Sequence, residues 1–413
     1  MESSAAVETA KQIVQMVGTM LALGLFSTLV AKKAKIPDVA VFLVMGMLVG
    51  PQMAGWVNIP SDSPFNQGLL ILGASYILFD GGASLRLKVL SEVWITITVI
   101  STIGVLITAL ITAGAAYYIL HIPFIVALLL GSAIASTDPA TLVPVFRQVP
   151  IQDRVAQTVM SESAFNDAMG AIVTFAVLGV AMGSGEFSLS HALIDLLKQS
   201  FLGILAGGIL GYLVALLIAH KSHNHLAEFA PVVTLMAVIA AYMIADALQA
   251  SGFMAVFVFG IVIGNQDAFG LAMVHEEKEK LDNYVMTTAL IMRTFIFILL
   301  GAQVDFGLMN QYLGGGLLVV LVFMLVARPV TVFLCAGPDR RAKWSRNELL
   351  FMCWTRETGV IPGALAGMLV GVKAPGAPII ASITFMAILM TILIQATTTA
   401  WLGGQLGLLI EKK

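Results

Sequence analysis

Apolar runs of about twenty residues recur along this chain with only short breaks between them, and each is long enough to cross roughly 30 Å of hydrocarbon as a helix. A membrane strand needs only about 9–11 residues, so runs of this length predict helices rather than a barrel. The spacing predicts about thirteen spans, at roughly 9–31, 38–57, 66–84, 90–119, 122–146, 152–183, 193–219, 226–248, 251–269, 283–304, 312–336, 345–371 and 376–407. Only 11% of the 413 residues are charged and 59% are hydrophobic, against about 25% and about 45–50% in soluble domains. So few charges cannot cover a water-facing surface, so lipid must be the main solvent. A net charge of −2 with no basic stripe excludes a nucleic-acid partner.

Basic residues fall in every second connection. Lys32, Lys33 and Lys35 follow the first span, Arg86 and Lys88 the third, and Arg147 and Arg154 flank the fifth break. Lys221, then Lys278 and Lys280, then Arg340, Arg341, Lys343 and Arg346, and finally Lys412 and Lys413 continue the alternation. The other connections carry little beyond Lys11, Lys198 and Lys373. Positive loops stay in the cytoplasm, so the amino terminus is expected outside and the carboxy terminus inside. Residues 1–12 lack the basic start of a cleaved signal peptide, and no stretch is long and polar enough for a cytoplasmic regulatory domain. Cys335 and Cys353 sit in apolar stretches, which fits neither a disulfide framework nor a metal cluster.

A weak internal symmetry divides the chain into a first repeat over about 9–183, a linker helix over about 193–219 and a second repeat over about 226–407. Pro139 interrupts the fifth span and Pro362 the twelfth, at matching places. The halves are offset by seven spans, so they would be inverted in the membrane, the arrangement of secondary transporters with broken helices.

Polar residues inside these spans are costly and mark function. Ser136-Thr137-Asp138-Pro139 places oxygens beside a proline that cannot continue the helical ladder. Freed carbonyls and half-helix ends can then serve a cation. In the sixth span Glu162, Ser163, Asn166 and Asp167 gather on one helical face, a pocket for a small hard cation that prefers oxygen ligands. In the twelfth, Gly359, Pro362 and Gly363 can unwind the helix near Arg356, which could neutralise Asp138 or Glu162 or pair with neighbouring Glu357. Asp80 reads equally as the mouth of a pathway or as a helix-end cap. Gly203, Gly207 and Gly211 form a small-residue ridge for close helix packing. All 6 histidines fall in loops or at helix ends and no HExxH string occurs, which argues against an intramembrane enzyme. An ion channel is the other rival reading.

Together, Thr137-Asp138-Pro139, Asn166-Asp167 within Ser161-Glu-Ser-Ala-Phe-Asn-Asp-Ala-Met-Gly170, and Leu78-Phe79-Asp80-Gly81-Gly82 resemble the monovalent cation:proton antiporter family in its NhaP-like branch. The resemblance covers essentially the whole chain. It implies an all-α fold with two inverted six-helix repeats whose broken helices, spans five and twelve, cross near the midplane. It also implies a homodimer, with roles in pH homeostasis, while the lack of an organellar targeting segment points to a bacterial inner membrane. No cofactor is implied, only transported Na+ or Li+ and H+. By position, Asp167 would bind either ion or proton, with Glu162, Ser163 and Thr137 completing the Na+ site and Asp138, Asn166 and Arg356 supporting it. Asparagine rather than a second aspartate at 166 implies electroneutral exchange of one sodium for one proton. A potassium/proton exchanger on the same scaffold is the alternative. The family often places an arginine just before the twelfth-span glycine; here Thr358 stands there and Arg356 lies two residues earlier.

Overall fold

The structure, a computed structural model, describes residues 2–34, 36–61, 63–138, 142, 145–146, 149–183, 189–219 and 226–410. Among these the fold is all-α, the single β feature being an isolated bridge between Ile151 and Leu409. The main helices are α1 (Glu2–Ala34), α2 (Asp38–Val49), α3 (Pro64–Ala83), α4 (Leu87–Leu120), α5 (Phe124–Ala133), α6 (Asp153–Ala181), α7 (Leu189–Ala219), α8 (Ala230–Ala247), α9 (Gly252–Gly264) and α10 (His275–Ala302). They continue with α11 (Leu313–Cys335), α12 (Arg346–Trp354), α13 (Val360–Gly371) and α14 (Ala377–Gln405).

Among the described residues, 8 helices are long and apolar enough to cross a membrane. Their outward faces carry large apolar side chains such as Leu25, Tyr118, Phe201, Met236 and Trp401. Water would not tolerate so much exposed apolar surface; acyl chains match it. This is a multi-pass membrane protein.

Local chemistry sets where helices stop. The second span ends at Val49 rather than near residue 57, because Gly50 precedes Pro51 and is extended there (φ −68, ψ 171). A residue before proline is pushed out of the α region. Gly207 in α7 faces α9 so closely that a Cβ would overlap the carbonyl of Ala255, so the glycine ridge is a helix-packing surface.

Two helices end at membrane depth. α5 has 10 residues and so rises only about 15 Å, half the hydrocarbon thickness. Beyond it, residues 134–138 are not helical, and helix resumes around Leu142, Val145 and Phe146. Pro139 lies outside the described residues. In the second half of the chain, α12 ends at Trp354, Thr355–Gly359 is not helical, and α13 begins at Val360. The expectation that Pro362 makes this break needs correction. Pro362 lies in the first turn of α13, where backbone N–H groups have no helical partner and proline is tolerated. The break falls earlier, with Gly359 at its end. The two breaks meet: the Asp138 N–H donates to the Glu357 carbonyl at 2.7 Å.

Two further helices contain a wide turn. Phe323–Ala327 within α11 and Thr391–Ala396 within α14 have π geometry. In α11 the cause is Pro329, whose ring and missing donor disrupt the ladder one turn upstream. In α14 the wide turn begins at Thr391, whose hydroxyl donates to the Ala387 carbonyl while accepting the N–H of Thr358.

The loop after α11 is pinned by Asp339. Thr96 of α4 donates to its Oδ2 at 2.5 Å, and the N–H groups of Arg341 and Ala342 donate to Oδ1. Trp344 Nε1 donates to Thr96, and the Arg154 guanidinium lies 4.2 Å from the Trp344 ring centroid. Burial alone would raise the Asp339 carboxyl, but the hydrogen bonds from Thr96, Ala342 and Arg341 outweigh it and hold it below the usual carboxylate range. The stabilisation is therefore present above the unfolded value and lost as pH falls through the lower folded value. Asp339→Asn is expected to cost about 1.5–3 kcal/mol, read as a lower melting temperature at neutral pH, and to lessen the further loss on acidification.

Candidate functional site

Helix α6 carries the acidic face. Its 29 residues run without a cap-breaking residue through the polar stretch, so helical spacing brings Glu162, Ser163, Asn166 and Asp167 toward the two breaks. All four are buried.

The Asn166 carboxamide reads the first break. Its Oδ1 accepts the Thr137 N–H at 2.9 Å, and its Nδ2 donates to Thr137 Oγ1 at 2.9 Å. One side chain thus replaces hydrogen bonds that the broken helix forfeits. The Asp138 carboxylate packs against Gly359, which caps α13; a Cβ there would overlap Asp138 Oδ2. The positive end of the α13 dipole therefore faces a carboxylate.

Arg356 serves the opposite pole. It donates to the Ala135 carbonyl just past α5 and to Thr108 Oγ1 at 3.2 Å, and its guanidinium lies 4.5 Å from the Phe323 ring centroid. A cation thus meets the negative end of α5. Neighbouring Glu357 does not take it, since neither Glu357 side-chain oxygen has a hydrogen-bond partner among the described residues. Glu162, another carboxylate considered for Arg356 from the sequence, is instead held by Arg328 of α11, which the sequence motifs did not single out. The guanidinium engages both carboxylate oxygens, with Nη2 to Oε2 at 2.9 Å, while Nε donates to the Met352 carbonyl at 2.9 Å. Bidentate geometry of this kind is strong and directional. The available signal was an arginine inside the apolar run Leu325-Val-Ala-Arg-Pro-Val330.

Asp167 differs from its neighbours. It is fully buried, and neither oxygen has a hydrogen-bond partner among the described residues. It lines a cavity of about 10 Å³ with Ala74, Ile77, Leu78, Asp138, Val360 and Ile361. That is about the room one water-sized body needs. A bare carboxylate in such apolar surroundings is expensive, so the site favours whatever small positive guest neutralises it. Asp138 and Ser136 are its polar neighbours, and the Ser163 hydroxyl is buried with no partner among the described residues. These are hard oxygen donors, suited to an alkali cation or a proton. Asp80 lies elsewhere, buried on the wall of a cavity of about 410 Å³ shared with Ser84, Gln266, Lys278 and Asp282.

Arg328→Met is expected to strand the Glu162 charge and destabilise the fold by about 3–5 kcal/mol, seen as a lower melting temperature in detergent. Adding Glu162→Gln should recover most of that loss.

Comparison with known proteins agrees with this architecture. A family model for the transmembrane sodium/hydrogen exchanger matches residues 19–404. The chain is 33% identical to Na(+)/H(+) antiporter 1 of Methanocaldococcus jannaschii, over 94% of this chain and 93% of that protein. It is 28% identical to a K(+)/H(+) antiporter of Alkalimonas amylolytica, over 96% of this chain and 67% of that protein. The solved structure of the M. jannaschii sodium proton antiporter at pH 8 superposes with a TM-score of 0.78, at 30% identity, covering 98% of this chain and 99% of that one. With its crossed breaks and buried acidic face on α6, the chain belongs to the sodium/hydrogen exchanger family of membrane proteins.

Proposed function

We infer that this protein exchanges sodium ions for protons across a membrane, using the Asp167 carboxylate as the site for which the two compete. The observation that carries this reading is the pair of unpartnered Asp167 oxygens in a cavity of about 10 Å³ beside the crossing. A proton or a sodium ion neutralises that carboxylate, and the neutral site can then pass the apolar barrier. An empty, charged site is held back by the cost of carrying a charge through a medium of low dielectric. Exchange is therefore coupled, with little leak.

In this reading Thr137 and Ser163 supply further oxygens, while Asn166, Asp138 and Arg356 hold the crossing in shape. Glu162, with both oxygens on Arg328, contributes through its electric field and through any opening of that pair during the cycle. One variable carboxylate implies one sodium for one proton, without net charge movement. Asp80 and its cavity of about 410 Å³ supply an entrance. The chain would work as a homodimer in a bacterial inner membrane, with its amino terminus outside, its carboxy terminus in the cytoplasm, and about thirteen spans. Its two inverted repeats, over about 9–183 and 226–407, would rock about the site around the linker helix at about 193–219.

A potassium/proton reading has one observation in its favour: relatives from Alkalimonas amylolytica and Shewanella carry that name.

The test uses purified protein in liposomes with an acid interior. External sodium should dissipate the pH gradient, and lithium and potassium tried in turn fix the selectivity. Asp167→Asn should abolish the exchange, a loss of at least about 100-fold, with the melting temperature retained. Full activity in that variant would remove Asp167 from the mechanism, and dissipation by potassium but not sodium would favour the second reading.

A further inference from the structure

Among the described residues, Asp167 is not the only buried carboxylate without a hydrogen-bond partner. Glu357, in the second break, is fully buried, and both of its side-chain oxygens lack one there. Its sequence position suggested no role beyond a pairing with Arg356, and the exchange at Asp167 does not use its side chain.

The cations near it are already committed. Arg328 is its cationic neighbour, but that guanidinium is spread across both oxygens of Glu162 and the Met352 carbonyl. Arg356, next in the chain, turns toward Ala135 and Thr108. The remaining charged neighbour, Asp138, has the same sign as an ionised Glu357.

The facing surface of α14 makes matters worse for an anion. Thr399 stands beside Glu357, and its hydroxyl proton is already donated to the Gln395 carbonyl at 2.8 Å. Thr391, two turns away on the same face, likewise donates to the Ala387 carbonyl at 2.8 Å. What Thr399 offers Glu357 is therefore a lone pair. With that proton committed, the hydroxyl serves a carboxylic acid, which donates, better than a carboxylate, which only accepts. The Gln395 amide and the Thr358 hydroxyl, both buried, lie unpartnered in the same region of the crossing.

We propose that Glu357 holds a proton throughout the transport cycle and, as a neutral acid, donates a hydrogen bond that ties the second break to the polar face of α14. The charges of the crossing then close simply. Counted together, Arg328 and Arg356 offset Glu162 and Asp138, Glu357 is neutral, and Asp167 alone varies. The last step rests on the exchange reading above, in which Asp167 is the exchanging site; the protonation of Glu357 does not.

Infrared spectroscopy of the protein in lipid tests the proton directly. At alkaline pH with saturating sodium, wild type is expected to show the carbonyl absorption of a buried protonated carboxyl group. The band should persist in Asp167→Asn and vanish in Glu357→Gln. In Thr399→Val, which removes the acceptor, it should move to higher frequency. That variant keeps the test valid even where Glu357→Gln fails to fold. Identical carboxyl bands in wild type and Glu357→Gln, or no shift in Thr399→Val, would overturn the proposal.

Transport gives the second readout. Because glutamine mimics a neutral acid, Glu357→Gln should exchange within about twofold of wild type, with the same pH profile and no response to membrane potential. A shift of about one pH unit, or a new dependence on potential, would make Glu357 an exchanging site and refute its permanent protonation. Should Asp167→Asn transport normally while the Glu357 band behaves as expected, the exchange reading fails and this one stands.

Discussion

A hydrogen bond between two interrupted helices organises the centre of this protein. Where a helix stops inside a membrane, its last carbonyls and first N–H groups face a medium that offers them no partner. Here the two interruptions satisfy each other, with the Asp138 N–H on the Glu357 carbonyl. The exposed dipole ends are matched by charges from the opposite strand of the crossing. Arg356 belongs to the second break and serves the end of α5; Asp138 belongs to the first and serves the start of α13. Each break thus carries the counter-charge of the other. Neither half-helix end is satisfied in isolation, so the two segments must fold against each other. The remaining needs of Thr137 are met by Asn166, which also fixes the adjacent Asp167 with respect to the crossing.

This arrangement separates two kinds of buried carboxylate. Glu162 and Asp138 are anchored, one by a guanidinium and one at a helix start. Asp167 sits one helical turn along α6 from Ser163 yet neither of its oxygens has a hydrogen-bond partner among the described residues. The contrast is the reason the proposed exchange is placed at Asp167 rather than at Glu162. An ion pair of the Glu162–Arg328 kind is difficult to open because each partner would then be stranded. A carboxylate left without protein partners can release one guest for another at little structural cost.

Much of this was legible in the sequence because apolar surroundings make polar residues conspicuous. The helical class followed from run length, and the grouping of Glu162, Ser163, Asn166 and Asp167 followed from helical periodicity. The failures were also physical. Arg328 and Glu162 lie 166 positions apart, and no local pattern announces such a partnership. Arg356 and Glu357 are adjacent in the chain, which invited a pairing, but Arg356 is drawn away to the Ala135 carbonyl and Thr108 across the crossing. Pro362 looked like the cause of the second break, yet it belongs to the opening turn of the helix beyond it. The π turns had no sequence signature beyond Pro329. In α14 the wide turn starts at a threonine whose hydroxyl bonds both its own helix and the second break, a tertiary contact that composition alone does not disclose.

In water an alkali ion travels with a shell of solvent far larger than itself, and the space of about 10 Å³ beside Asp167 admits no such escort. In the proposed exchange, a metal that reaches the carboxylate must arrive stripped, with the oxygens of the crossing taking over from its discarded solvent. Discrimination among alkali ions then becomes a contest between how reluctantly each sheds that shell and how closely the surrounding oxygens can draw around it. Repacking Ile77, Leu78 or Ile361, none of which touches an ion through a polar atom, would shift that contest simply by changing how far the wall can yield.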